Sequence, residues 1–115
     1  MNKLLFIPAS FLIFISVPKA EAYDNMSLRI CEYVQANDKT RLRKFLKSKK
    51  IKIRNIYKDL RCNKDNLLVF AAKSKSLDVG DFLIGKIPSK AVLKEIDNIA
   101  EHSPHLAAVA KKRVK

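Results

Sequence analysis

Glycine, cysteine and histidine occur only twice each in 115 residues, and 11 acidic side chains face 24 lysines and arginines. So little glycine excludes collagen-like chains and glycine-rich linkers. Two histidines and two cysteines leave little material for a metal centre. A formal charge of +13 excludes an acidic disordered tail, and 48% hydrophobic residues exclude a fully disordered chain. The Gly-x-Ser-x-Gly, P-loop and glycine-rich nucleotide patterns are all missing.

The N-terminus reads as an export signal. Lys3 supplies a positive start, Leu4 to Val17 is an apolar run, and Ala20-Glu21-Ala22 is an A-x-A cleavage site. A bilayer span takes about 20 apolar residues. The run is shorter and holds Pro8, so a cleaved signal over residues 1–22 fits better than an anchor. The expected product is a single domain, residues 23–115, working in the periplasm or secreted space. No later stretch of the sequence is apolar enough to cross a membrane.

Export gives Cys31 and Cys62 a meaning. In an oxidising compartment two cysteines in a small domain read as one disulfide. Neither belongs to a C-x-x-C pair or has a histidine nearby in sequence, so a structural bridge fits better than a redox thiol.

Helical spacing dominates the rest. Leu28, Cys31 and Val34, widened by Ile30 and Tyr33, form one stripe; Leu42, Phe45 and Leu46 form a second. Val79, Phe82 and Leu83 follow the same rule, as do Val92, Leu93, Ile96, Ile99 and Ala100, and then Leu106, Val109 and Ala110. Asn37-Asp38, Asn66, Ser76, Ser89 and Ser103-Pro104 supply start signals. Six helices in three hairpins are expected. The stretch Lys50-Ile51-Lys52-Ile53-Arg54 alternates with period two, which predicts a partly extended connection between Ser48 and Asp65.

The chain resembles itself. Displacing it so that Ile30 falls on Leu67 also places Tyr33 on Phe70, Leu42 on Val79, Phe45 on Phe82 and Leu46 on Leu83. Asn66-Leu67-Leu68-Val69-Phe70-Ala71-Ala72 resembles the T-P-L-H-x-A opening of an ankyrin repeat, and Ser76 to Ile84 resembles its second helix. The resemblance covers residues 28–84. It departs where Asn66-Leu67 replaces Thr-Pro, Val69 replaces histidine and Lys75 replaces the inter-helix glycine. The expected fold is therefore all-α: ankyrin-like helical hairpins, a long basic connecting loop, one disulfide and a C-terminal helical cap.

The mature chain also resembles a family of small exported bacterial proteins known only as a domain of unknown function. The shared pattern is Ile30-Cys31-Glu32-Tyr33-Val34, Arg41 to Leu46, Ile53 to Tyr57, Cys62-Asn63 and Asn66 to Ala71. That resemblance implies export and a paired Cys31 and Cys62. It implies no activity.

Charge is the most informative feature. Between Lys39 and Lys64 twelve lysines and arginines face one acid, Asp59. Arg41, Arg43, Lys44 and Lys47 lie opposite the Leu42/Phe45/Leu46 stripe, and Lys50, Lys52 and Arg54 share one face of the connection. Lys111, Lys112, Arg113 and Lys115 form a second cluster. Such a face is either simply solvated or an anion-binding surface, since an anionic partner would relieve the mutual repulsion. Tyr57 beside Lys58 could stack on a sugar or base, or serve only as rim.

Enzyme signals are poor. His102 and His105 are separated by a helix boundary at Ser103-Pro104 and have no third ligand, so no metal site is expected. Asp97 and Glu101 stand one turn apart and read as solvated rather than as an acid/base pair. No cofactor is expected. The sequence favours a non-enzymatic module that binds an anionic envelope component or acidic protein, with peripheral membrane contact open and intracellular nucleic acid disfavoured by export. The alternative is a cationic, membrane-perturbing or toxin-like protein using the same charge.

The bridge has a measurable consequence. Closing a loop of about 30 residues is worth roughly 3.5–4 kcal/mol on the chain-entropy model. The unreduced protein should show no titratable thiol and should melt at a lower temperature once reduced. Two titratable thiols in the native protein would contradict the bridge.

Overall fold

The structure, a computed structural model, describes residues 19–115. The apolar run Leu4–Val17 of the expected signal lies outside the described residues. Among those described there are seven helices: α1 Lys19–Gln35, α2 Lys39–Lys49, α3 Ile53–Ile56, α4 Leu67–Lys73, α5 Leu77–Lys86, α6 Ser89–His102 and α7 Pro104–Val114. None of the described helices is long and apolar enough to cross a membrane. The chain is all-α, with one disulfide joining Cys31 to Cys62.

Helix α4 is the hub. Its residues Leu67 to Ala72 are all buried, because α1, α5 and α6 pack around it. The α6–α7 pair then covers α4 and α5. Ile30 and Val34 of α1, Leu42 and Leu46 of α2, Val79 and Leu83 of α5, Val92 and Ile99 of α6, and Leu106 and Ala110 of α7 complete the core. Three residues assigned to stripes turn outward. Leu28 and Leu93 are 58% and 59% exposed, and Ala100 is exposed.

Two helix–turn–helix units, α1–α2 and α4–α5, share one turn geometry. Asn37 and Lys75 both adopt left-handed backbone, with φ of 55° and 57°. In the first turn the Asn37 and Asp38 N–H groups donate to the Val34 and Tyr33 carbonyls; in the second, Lys75 and Ser76 donate to Ala72 and Ala71. This is the Schellman closure, which satisfies the free carbonyls at a helix end. The turns pair Asn37 with Lys75, one position beyond the displacement that places Ile30 on Leu67.

The same turns are stitched to each other. Ser76 Oγ, fully buried, donates to the Val34 carbonyl at 2.5 Å. The Val79 N–H at the start of α5 donates to Asn37 Oδ1 at 3.0 Å. Asn37 thus caps α5 from another hairpin, while Ser76, the expected cap, ties down the end of α1. Asp38, Asn66 and Ser103 cap as expected, accepting from the N–H groups of Arg41, Val69 and Leu106. Ser89 does not cap. It is the first residue of α6, and Pro88 occupies the cap position.

The connection between α2 and α4 corrects the extended reading. Lys50 is left-handed, with φ of 57°, and closes α2 as Ile51 donates to the Leu46 carbonyl. Lys52 is extended, but Ile53–Ile56 forms a helical turn. Five alternating residues with no strand beside them among the described residues cannot build a ladder. The spacing of Ile53 and Ile56 suits a helical turn against the core, with Ile53 buried and Ile56 partly so. Leu60 and Cys62 are the next buried anchors. A tight turn at Cys62–Asp65 follows, with Asn63 and Lys64 both at positive φ.

The two glycines make opposite predictions. A Cβ on Gly80 of α5 would fall 2.5 Å from Cδ1 of Leu106, which is buried on α7. A Cβ on Gly85 would meet nothing within 4 Å. Alanine in a helix is favoured over glycine by about 0.5–1 kcal/mol, while overpacking a core costs about 1–3 kcal/mol. Gly85→Ala should therefore raise the urea midpoint and Gly80→Ala should lower it. The reverse order would contradict the α5–α7 packing.

Candidate functional site

The proposed anion-binding residues divide. Arg43 of α2 and Lys52 and Arg54 of the connection line one cleft of about 520 Å³, and Lys86 of α5 and Arg113 of α7 close it from the other side. Leu46, Ile51, Ile53, Phe82, Gly85 and Pro88 complete the lining, which contains no acidic side chain. Arg41, Lys44, Lys47 and Lys50 are exposed on α2 and its end but do not line this cleft. Arg41 is also partly neutralised by Asp38, 3.5 Å away.

Three of the five cations are held by contacts within the protein. The Arg43 guanidinium lies 6.0 Å from the centre of the Phe82 ring, and the Lys86 ammonium lies 5.8 Å from it. These are cation–π distances. Arg113 donates to Ser89 Oγ at 2.5 Å and to the Ile87 carbonyl at 3.4 Å. Ser89, missing as a cap, thus orients a cleft arginine instead. For Lys52 and Arg54 no carboxylate partner is found within ion-pair distance among the described residues.

Sequence reasoning missed Lys86 and assigned Arg113 to a separate terminal cluster. The signal for Lys86 was present: it follows Phe82 by four residues, so helical geometry places its side chain on the same face. Nothing in the local sequence of Arg113 announces its partner, because α7 reaches the cleft through its packing on α5 and α6.

A neighbouring groove shares Arg54 and Pro88 with the cleft and continues past Tyr57, Lys58, Arg61, Lys90 and Lys94 to Glu95. Tyr57 is half-buried. Burial, with Glu95 beside it, pushes its phenol above the ordinary tyrosine range, and Arg61 pulls less strongly the other way. Tyr57 packs against the core as a partly buried member, and a neutral, buried phenol fits that role. His102 ends α6 and His105 lies in α7 across the Ser103 boundary. Among the described residues no three metal-ligating side chains converge.

Fold and site together define a small, disulfide-stapled helical protein with a basic cleft. The chain belongs to the family described as protein of unknown function (DUF3718), whose model matches residues 30–93. That span holds both cysteines and four of the cleft cations, Arg43, Lys52, Arg54 and Lys86. No curated protein and no solved structure matches the chain.

Crowding cations should cost stability. Like charges around one concave surface repel, and exposed pairs interact by about 0.2–1 kcal/mol. The double variant Lys52→Gln/Arg54→Gln should gain about 0.5–1 kcal/mol at low ionic strength, a gain that fades as salt screens the native repulsion. A lower melting temperature for this variant at low salt would show that the two side chains stabilise the fold instead.

Proposed function

We propose that the chain is a small exported, non-enzymatic binding module whose basic cleft recognises an anionic partner in the cell envelope. The observation that carries this reading is the convergence of Arg43, Lys52, Arg54, Lys86 and Arg113, from four segments, on one acid-free cleft. A face serving only for solubility has no need to fix its cations, yet Arg43 and Lys86 are held at Phe82 and Arg113 at Ser89. The Cys31–Cys62 bridge is compatible with an oxidising compartment. The membership of a family without assigned activity gives weak support to a non-enzymatic role.

The test is cosedimentation of the mature chain, residues 23–115, with an envelope fraction across a salt series. The native protein should be retained at physiological salt and released steeply as salt rises. A variant with Lys52, Arg54 and Lys86 changed to Glu should not be retained. Equal retention of both, or none by either, contradicts the reading. Anionic vesicles loaded with dye provide the other arm. Binding without leakage fits a docking module; leakage favours the membrane-perturbing alternative.

A further inference from the structure

The composition of the cleft says more than its charge. Three of its five cations are arginines, whose planar forks match the oxygens of a phosphate better than an ammonium does. A carboxylate brings one negative charge, whereas a phosphate monoester brings about 1.5–2 at neutral pH. Two phosphates would therefore place about three to four negative charges among five positive ones, against about two for two carboxylates. The volume of about 520 Å³ lies within the range of small-molecule sites, roughly 300–1,000 Å³.

The cleft is also half apolar. Leu46 and Ile53 are buried beneath it, and Ile51 is partly buried beside them. Ile51 and Pro88 keep open surface on the cleft and can meet a carbon skeleton while the cations take its charged groups. The face of Phe82 already has Arg43 and Lys86 near it, which argues against a flat base or sugar stacking there. Fixing Arg43, Lys86 and Arg113 in advance lowers the ordering cost of binding.

We infer that this cleft binds a compact ligand carrying at least two phosphates on a short carbon skeleton. The inference rests on the reading of the protein as an anion-binding module and narrows it to one ligand chemistry and one place. A phosphorylated lipid headgroup and a soluble sugar bisphosphate share that chemistry.

Calorimetry on the disulfide-intact chain, at constant ionic strength, tests it with three soluble probes: fructose 1,6-bisphosphate, glucose 6-phosphate and the tricarboxylate tricarballylate. The bisphosphate should bind at least about tenfold more tightly than either of the others. Arg54→Lys keeps the charge but loses the fork, Arg113→Lys also loses the bonds to Ser89 and Ile87 that place its charge, and each should weaken bisphosphate binding about tenfold. Lys47→Gln, outside the cleft, should leave it unchanged. A tricarboxylate that binds as tightly as the bisphosphate overturns the phosphate assignment. Loss on Lys47→Gln with both arginine variants unaffected overturns the place. Phosphatidylcholine vesicles containing phosphatidylinositol 4-phosphate separate the sources: tighter binding than to the soluble probe assigns a lipid headgroup, and equal or weaker binding assigns a soluble one. If anionic vesicles bind through the cleft but the bisphosphate binds no more tightly than glucose 6-phosphate or tricarballylate, this inference fails while the broader reading stands. If no polyanion binds, both fail.

Discussion

The covalent link between Cys31 of α1 and Cys62 holds the most highly charged part of the chain against the helices. Between α2 and α4 the backbone has one helical turn, Ile53–Ile56, and one tight turn, Cys62–Asp65. Neither could persist alone, since an isolated helix needs about 12–15 residues to be even marginal. Ile53, Leu60 and Cys62 are the buried contacts that fasten it. The bridge removes loop-closure entropy from the unfolded connection. Its worth of roughly 3.5–4 kcal/mol exceeds several repulsive surface pairs at about 0.2–1 kcal/mol each. The staple therefore lets Lys52 and Arg54 stand opposite Lys86 and Arg113.

A second constraint acts at the same end of α1, one turn beyond Cys31. Asn37 and Ser76 exchange roles across the two hairpin turns, one capping α5 and the other satisfying a carbonyl of α1. Both turns end in left-handed residues that leave the next helix close behind. The pairing of α1 with α4, and hence the position of α2 beside α5, follows from these contacts. Arg43 on α2 can meet Phe82 on α5 only because that register is kept.

Helical stripes, three of the caps and the cysteine pair were legible in the sequence, because each is written in neighbouring residues. Asp38, Asn66 and Ser103 cap the helices that follow them, and the signal is local. The roles of Ser76 and Ser89 were not legible, since their partners Val34 and Arg113 lie far away in sequence. Ile53 shows how two periodicities can agree on burial and differ on backbone. It points inward in an alternating strand and also in a helical turn, and only the packing decides. The basic run from Lys39 to Lys64 was plain, but the run is not the site. Arg41, Lys44, Lys47 and Lys50 stay outside the cleft, and two of its five cations come from α5 and α7.

The claim that these five cations act together as one site is most directly tested by nuclear magnetic resonance. The disulfide-intact, nitrogen-15-labelled chain would be titrated with fructose 1,6-bisphosphate, and its backbone and arginine side-chain signals followed. The account predicts perturbations confined to the cleft, at Arg43, Lys52, Arg54, Lys86 and Arg113 and the first turn of α6. Shifts spread evenly over Arg41, Lys44, Lys47 and Lys50, with Lys86 and Arg113 unmoved, would contradict it and leave the charge as a solvated surface.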